Sequence, residues 1–121
     1  MNEIVWDRIY HLDGSQPWYE IPLVNGHRHG VAKWYYKDGQ LQCEIPHVNG
    51  LIYGVRKMYH EDGQLSRETP YVNHRRHGIE NQYNYNGTLK EQYLYINDKI
   101  RNDLLGDEHR LTRLTLLGSE V

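Results

Sequence analysis

A block of about 24 residues is written four times along this chain, and no other feature restricts its fold as tightly. The copies beginning at Gly30, Gly54 and Gly78 read GVAKWYYKDGQLQCEIPHVNGLIY, GVRKMYHEDGQLSRETPYVNHRRH and GIENQYNYNGTLKEQYLYINDKIR. Upstream, VWDRIYHLDGSQPWYEIPLVNGHRH from Val5 is a fourth copy, with one extra residue between Gly14 and Pro22 and no opening glycine. A unit this short cannot bury its own apolar surface, so each copy must lean on its neighbours and the two ends need caps. The units span residues 5–29, 30–53, 54–77 and 78–101 of a single repeat domain, leaving 102–121 as a C-terminal cap.

The punctuation inside each unit is that of β-hairpins. Tyr10, Tyr35, Tyr59 and Tyr83 stand four residues ahead of Gly14, Gly39, Gly63 and Gly87, and those glycines follow Asp13, Asp38, Asp62 and Asn86. Asp-Gly or Asn-Gly between β-rich stretches signals a hairpin, because a type I′ turn needs positive φ at both central residues. A second turn falls at Asn25-Gly26, Asn49-Gly50, Asn73-His74 and Asn97-Asp98. Gly and Pro recur too often for helix, and Tyr, Val and Ile fill the stretches between. The expectation is all-β: a single-layer antiparallel meander, two strands and two turns per repeat, eight strands in all. Pro22, Pro46 and Pro70 cannot donate to a ladder, so a bulge or an unpaired segment is expected there; a bulge would bring Leu41 and Val48 onto one face.

Composition agrees with a thin body. The 121 residues include eleven Tyr and no Phe, and only 38% are hydrophobic, so a deep dry core is excluded. Amphipathic rings covering a flat sheet are the alternative. Net charge is −2, which offers no polycation for nucleic acid. The one cysteine, Cys43, excludes an intrachain disulfide and a cysteine-based zinc site, and fits a reducing compartment. The start MNEIVWDRIY carries acid early and reads as no secretory leader, and no apolar run approaches a bilayer span. A cytoplasmic location is the expectation. The tail leucines Leu104, Leu105, Leu111, Leu114, Leu116 and Leu117, in helix or in strand, and the front segment EIVWDRI are the candidate caps.

Alternate positions of the first strand divide the unit. Val31/Lys33/Tyr35, Val55/Lys57/Tyr59 and Ile79/Asn81/Tyr83 repeat themselves and read as scaffold. Ala32/Trp34/Tyr36, Arg56/Met58/His60 and Glu80/Gln82/Asn84 drift from aromatic to polar and are free for use. On that side Trp34, Tyr36, Met58 and His60, with His47, Tyr71, Trp18 and Tyr95 nearby, make a candidate partner-binding strip of interface-prone residues. The competing reading is that this face packs beneath caps or a second protomer.

The loops NGHRHG and NHRRHG add Arg28, His74, Arg75 and Arg76 to the candidate partner surface, as a basic edge suited to acidic groups. Their histidines, His27, His29, His74 and His77, lie two repeats apart, on the order of 20 Å at ~4.8 Å per strand, too far to share one zinc. His74 stands where a turn wants glycine. Glu20, Glu44 and Glu68 recur with the repeat and read as stabilising groups. No nucleophile elbow, phosphate-cradling loop or metal motif is present, so no catalytic residue, cofactor or metal is assigned.

The pattern G-x-x-x-x-Y-x-x-(D/N)-G-x-L, then E-x-P-x-V-N-G, resembles the variant form of the MORN repeat. It is carried by Gly30, Tyr35, Asp38, Gly39, Leu41, Glu44, Pro46, Val48, Asn49, Gly50 and Gly54 and their counterparts one period later. Departures are Val5 for the opening glycine, His74 and Asp98 for the turn glycine, and Leu94 for the proline. The resemblance implies a single-layer sheet of hairpins. It further implies a non-catalytic binding module, foremost an antitoxin or immunity-type inhibitor that occludes a partner protein. The alternatives are a scaffold or membrane-lipid-associated module, or a homo-oligomer joined through sheet edges or faces. The absence of a basic amphipathic helix argues against the membrane.

Overall fold

A computed structural model describes residues 3–10, 12 and 17–105. Within them the chain is one antiparallel sheet in the order β1-β2-β4-β5-β7-β8-β10-β11-β12, with the short β3, β6 and β9 pairing β2, β5 and β8. Each repeat contributes a six-residue strand, an eight-residue strand and a two-residue strand. These are β1 (Val5–Tyr10), β2 (Pro17–Val24) and β3 (His27–Arg28); β4 (Gly30–Tyr35), β5 (Leu41–Val48) and β6 (Leu51–Ile52); β7 (Gly54–Tyr59), β8 (Leu65–Val72) and β9 (Arg75–Arg76); and β10 (Gly78–Tyr83), β11 (Leu89–Ile96) and β12 (Lys99–Ile100). The single-layer meander holds, but each unit has three strands rather than the two expected, the third folding back over the second turn.

The two turn families differ. At residues 36–40 the Gly39 amide donates to the Tyr36 carbonyl (2.9 Å) and the Tyr36 amide to Gln40 (2.8 Å), as recurs at 60–64 and 84–88. Only the glycine is left-handed there (Gly39 φ 92°, Gly63 φ 94°, Gly87 φ 87°), so these are unprimed turns closed by a glycine bulge, not the type I′ turns expected. Asp38, Asp62 and Asn86 accept from the amide two residues on, which is why an Asx residue precedes each glycine. The second turns carry two left-handed residues each: Asn25 with Gly26, Asn49 with Gly50, Asn73 with His74, and Asn97 with Asp98. Those are type I′.

The bulge lies elsewhere than at the prolines. Register slips between Trp34 and Tyr35, Met58 and Tyr59, and Gln82 and Tyr83, leaving Gln42, Ser66 and Lys90 as the extra residues. That slip still places Leu41 opposite Tyr35 and Pro46 opposite Val31, so leucine and proline share the face with valine and tyrosine. Pro46 is tolerated because β5 pairs β7 only at Cys43 and Glu44, then β6 at His47 and Val48. In that gap the Tyr53 amide reaches the Pro46 carbonyl (3.2 Å), and Gly54 passes so close that a Cβ would lie 3.1 Å from the proline ring.

At the C-terminal end, η1 (Asn102–Leu104) closes over β11: Asn102 accepts from the Leu94 amide (2.8 Å), and Leu105 is only 2% exposed. Leu104 stays exposed, and the remaining tail leucines lie outside the described residues.

Candidate functional site

One face is a ladder of repeated residues. In direct register run Arg8, Glu20, Lys33, Glu44, Lys57, Glu68, Asn81 and Gln92, alternating in charge until the last two. Glu20 accepts from Tyr35, Glu44 from Tyr59 and Glu68 from Tyr83, each fifteen residues on. Arg8 adds a 3.2 Å ion pair to Glu20. Burial and the neighbouring carboxylate push the hydroxyls of Tyr35, Tyr59 and Tyr83 up to about 12. These glutamates are thus cross-repeat acceptors that bind one hairpin to the next.

The varied face holds most of the buried side chains: Ile21, Ala32, Cys43, His47, Thr69, Glu80 and Tyr95. Glu80, at 4% exposure, accepts from the Thr69 hydroxyl (2.6 Å) and the Gln82 amide (3.0 Å). Burial raises the Cys43 thiol, countered in part by Arg56.

The candidate strip does not form one exposed patch. Tyr36 is half-buried and donates to the Tyr59 carbonyl (2.7 Å); His60, one period later, bonds the Tyr83 carbonyl (3.1 Å) and stacks on Tyr85 at 4.1 Å. Both hold the following repeat. Trp34 sits half-buried 6.2 Å from the Tyr19 ring, and Met58 is half-buried opposite Cys43 and Arg67. His47 is 4% exposed with Nδ1 on the Ile45 carbonyl (3.0 Å), and burial lowers its pKa, helped by Arg28 and His74. Tyr71 is half-buried against Arg56. Trp18 and Tyr95 diverge: the first is exposed, the second is buried beneath the Arg76 guanidinium at 4.4 Å.

The loop residues do come together, along the edge formed by the second turns. Successive turns are bonded backbone to backbone: Gly50 donates to Arg28, His74 to Ile52 and Asp98 to Arg76, each at 2.8 Å. Histidine rings add to the column, His29 accepting from the Asn49 amide, His74 from Ile52 and His77 from Asn97. Arg76 pairs with Asp98 at 2.6 Å, which holds that carboxyl below its usual range. Arg28 and Arg75 are exposed, and neither forms an ion pair among the described residues. His27, Arg28, His74 and Arg75 therefore project from a hydrogen-bonded edge. The first turns make the opposite edge, with Asp38, Glu61 and Asp62 exposed.

No group of three or more His, Cys, Asp or Glu residues is placed to hold a metal among the described residues. A groove of about 380 Å³ between neighbouring first turns is lined by Gln64, Leu65, Tyr83 and Gly87. Sequence reasoning missed the fixed donors to Glu20, Glu44 and Glu68 and the amide-accepting role of the loop histidines. A constant tyrosine–glutamate spacing was the available signal for the first.

No curated protein and no solved structure matches the chain. The profile of the MORN repeat variant matches residues 28–49, 52–73 and 76–97, three consecutive units that make up just over half of the sequence. By that match, and by the hairpin geometry it coincides with, this chain belongs to the MORN repeat variant family.

Proposed function

We propose that this protein is a non-enzymatic protein-binding module whose basic edge docks on an acidic surface of a partner. MORN repeats are in general binding modules for proteins or membrane lipids. The observation that carries the protein reading is the edge just described. Its turns are cross-bonded into a fixed row, and Arg28 and Arg75 remain without a counter-ion among the described residues. A preformed charged edge binds at little ordering cost and is steered to its complement. The finer reading is an antitoxin or immunity-type inhibitor, working in the cytoplasm by covering the partner's site rather than by chemistry.

The test is capture of partners from the native host, with Arg28→Glu/Arg75→Glu as the control. The expected result is one stoichiometric protein partner, lost in the variant, whose activity the wild-type chain inhibits at equimolar ratio. Flotation with anionic vesicles in place of a protein partner would overturn the protein reading. A recovered partner whose activity is untouched would overturn the inhibitor reading alone.

A further inference from the structure

The two ends of the sheet are finished differently. At β11, Gln92 is 3% exposed and Leu105 2%, and η1 closes the edge. At β1 all six residues are exposed, including Val5 at 61%, Ile9 at 46% and Tyr10 at 55%, and among the described residues only β2 pairs with it. An uncovered edge of this length presents unpaired backbone donors and acceptors to any extended chain.

The repeat specifies what such a chain should carry. In each later unit, the residue two places before the tyrosine lies opposite a preceding acid: Lys33 faces Glu20, Lys57 faces Glu44, Asn81 faces Glu68. The tyrosine hydroxyl then donates to that same acid. In β1 these positions are Arg8 and Tyr10, and among the described residues no strand lies outside them. The geometry points to β1 as a strand-addition site for an extended segment of a partner protein bearing an acidic residue opposite Arg8, where Tyr10 closes on it. Main-chain pairing would supply affinity, and the Arg8 contact the register.

A second copy of this chain fits poorly. Pairing β1 with itself about a twofold axis sets Asp7 against Asp7 or Arg8 against Arg8 in the two registers of longest overlap. Offering β11 instead brings Gln92, which is uncharged and already covered. This surface is separate from the basic edge.

The probe is a peptide of the chain's own second-strand sequence, LSRETPYV (residues 65–72), whose glutamate faces the equivalent position of β10. Titrated into the full chain and followed by amide NMR shifts, it should perturb residues of β1. The same peptide with lysine for glutamate should bind at least about tenfold more weakly, the loss of one favourable charged contact. Arg8→Glu should reverse that preference, and Arg8→Gln, which introduces no repulsion toward Glu20, should abolish it. Arg75→Glu should leave the peptide affinity unchanged, which separates this site from the basic edge. Equal affinity of the two peptides, no shifts at all, or shifts mapping elsewhere would overturn the proposal. So would a dimer in light scattering that Arg8→Gln dissociates.

Discussion

The two long edges of this sheet are built from turns of similar sequence and opposite habit. Each of the three described first turns bonds its own loop through an Asx side chain and carries one left-handed glycine. Each second turn after the first hands an amide to the turn before it, and in three places a histidine ring accepts another. Along the first edge the loop backbones bond only within themselves, Tyr36 and His60 reaching the next unit by side chain, and the acids are exposed. The second edge is a continuous backbone-bonded chain carrying Arg28 and Arg75, which form no ion pair among the described residues. Rigidity and positive charge coincide, which is why docking is assigned to the second edge.

The comparison is most severely broken at Gly78, which leads away from the coupled edge. Its φ is +125°, and a Cβ would lie 2.8 Å from the Pro70 ring. Gly78→Ala should cost about 3 kcal/mol in urea unfolding, while Gly26→Ala, with open space around it, should cost about 1 kcal/mol. Comparable losses at the two sites would refute the close-approach argument.

Next comes the ladder that ties the edges together. Glu44→Ala removes the acceptor of Tyr59 and should cost about 2 kcal/mol, with Glu44→Gln recovering part of it. The same bonds set an alkaline limit. The tyrosine hydroxyls rise from about 10 when unfolded to about 12 when folded, so their contribution is full below pH 10 and is lost as pH climbs through 12. Stability measured from pH 9 to 12 should fall, and should fall less when Tyr35, Tyr59 and Tyr83 are changed to Phe.

Within the first-turn edge, Gly63→Ala meets φ +94° and the Gln40 side chain at 3.2 Å, and should cost about 1–2 kcal/mol. Because the backbone of that turn bonds only within itself, amide exchange should quicken at residues 60–64 and hardly at 36–40. The smallest effect belongs to His74. His74→Gly relieves a φ of +74° but gives up the 3.3 Å bond from the Ile52 amide, leaving a net change of about 0.5 kcal/mol or less. The Ile52 amide should exchange faster in that variant even where overall stability is unchanged, and a protected Ile52 would show the ring to be idle.

Much of the architecture could be read from residues alone because Asn-Gly, Asp-Gly and Pro act through the backbone, whose options are few. The turn type at Asp38-Gly39 could not, since the same dipeptide serves a type I′ turn or a glycine bulge, and the strand register beyond it decides. At Pro46 the residues allow a bulge or an unpaired segment; pairing stops beside it, and the bulge falls at Gln42 instead. The varied face was harder still. Tyr36 and His60 differ in identity but bond the same carbonyl of the following unit, so variation there does not mark an unemployed surface. The cationic residues after Asn25 and Asn73 are visible as an edge, but the bonding between successive turns is long-range and leaves no mark in any one repeat.

That turn-to-turn bonding makes the molecule a graduated rule. Each unit advances the edge by two principal strand spacings, on the order of 10 Å, and joins its neighbours through the same acceptors. Excising or duplicating residues 54–77 would therefore shift the separation of flanking charges by one whole graduation and by no fraction of one. A partner that fits this edge has to be cut to the same gauge.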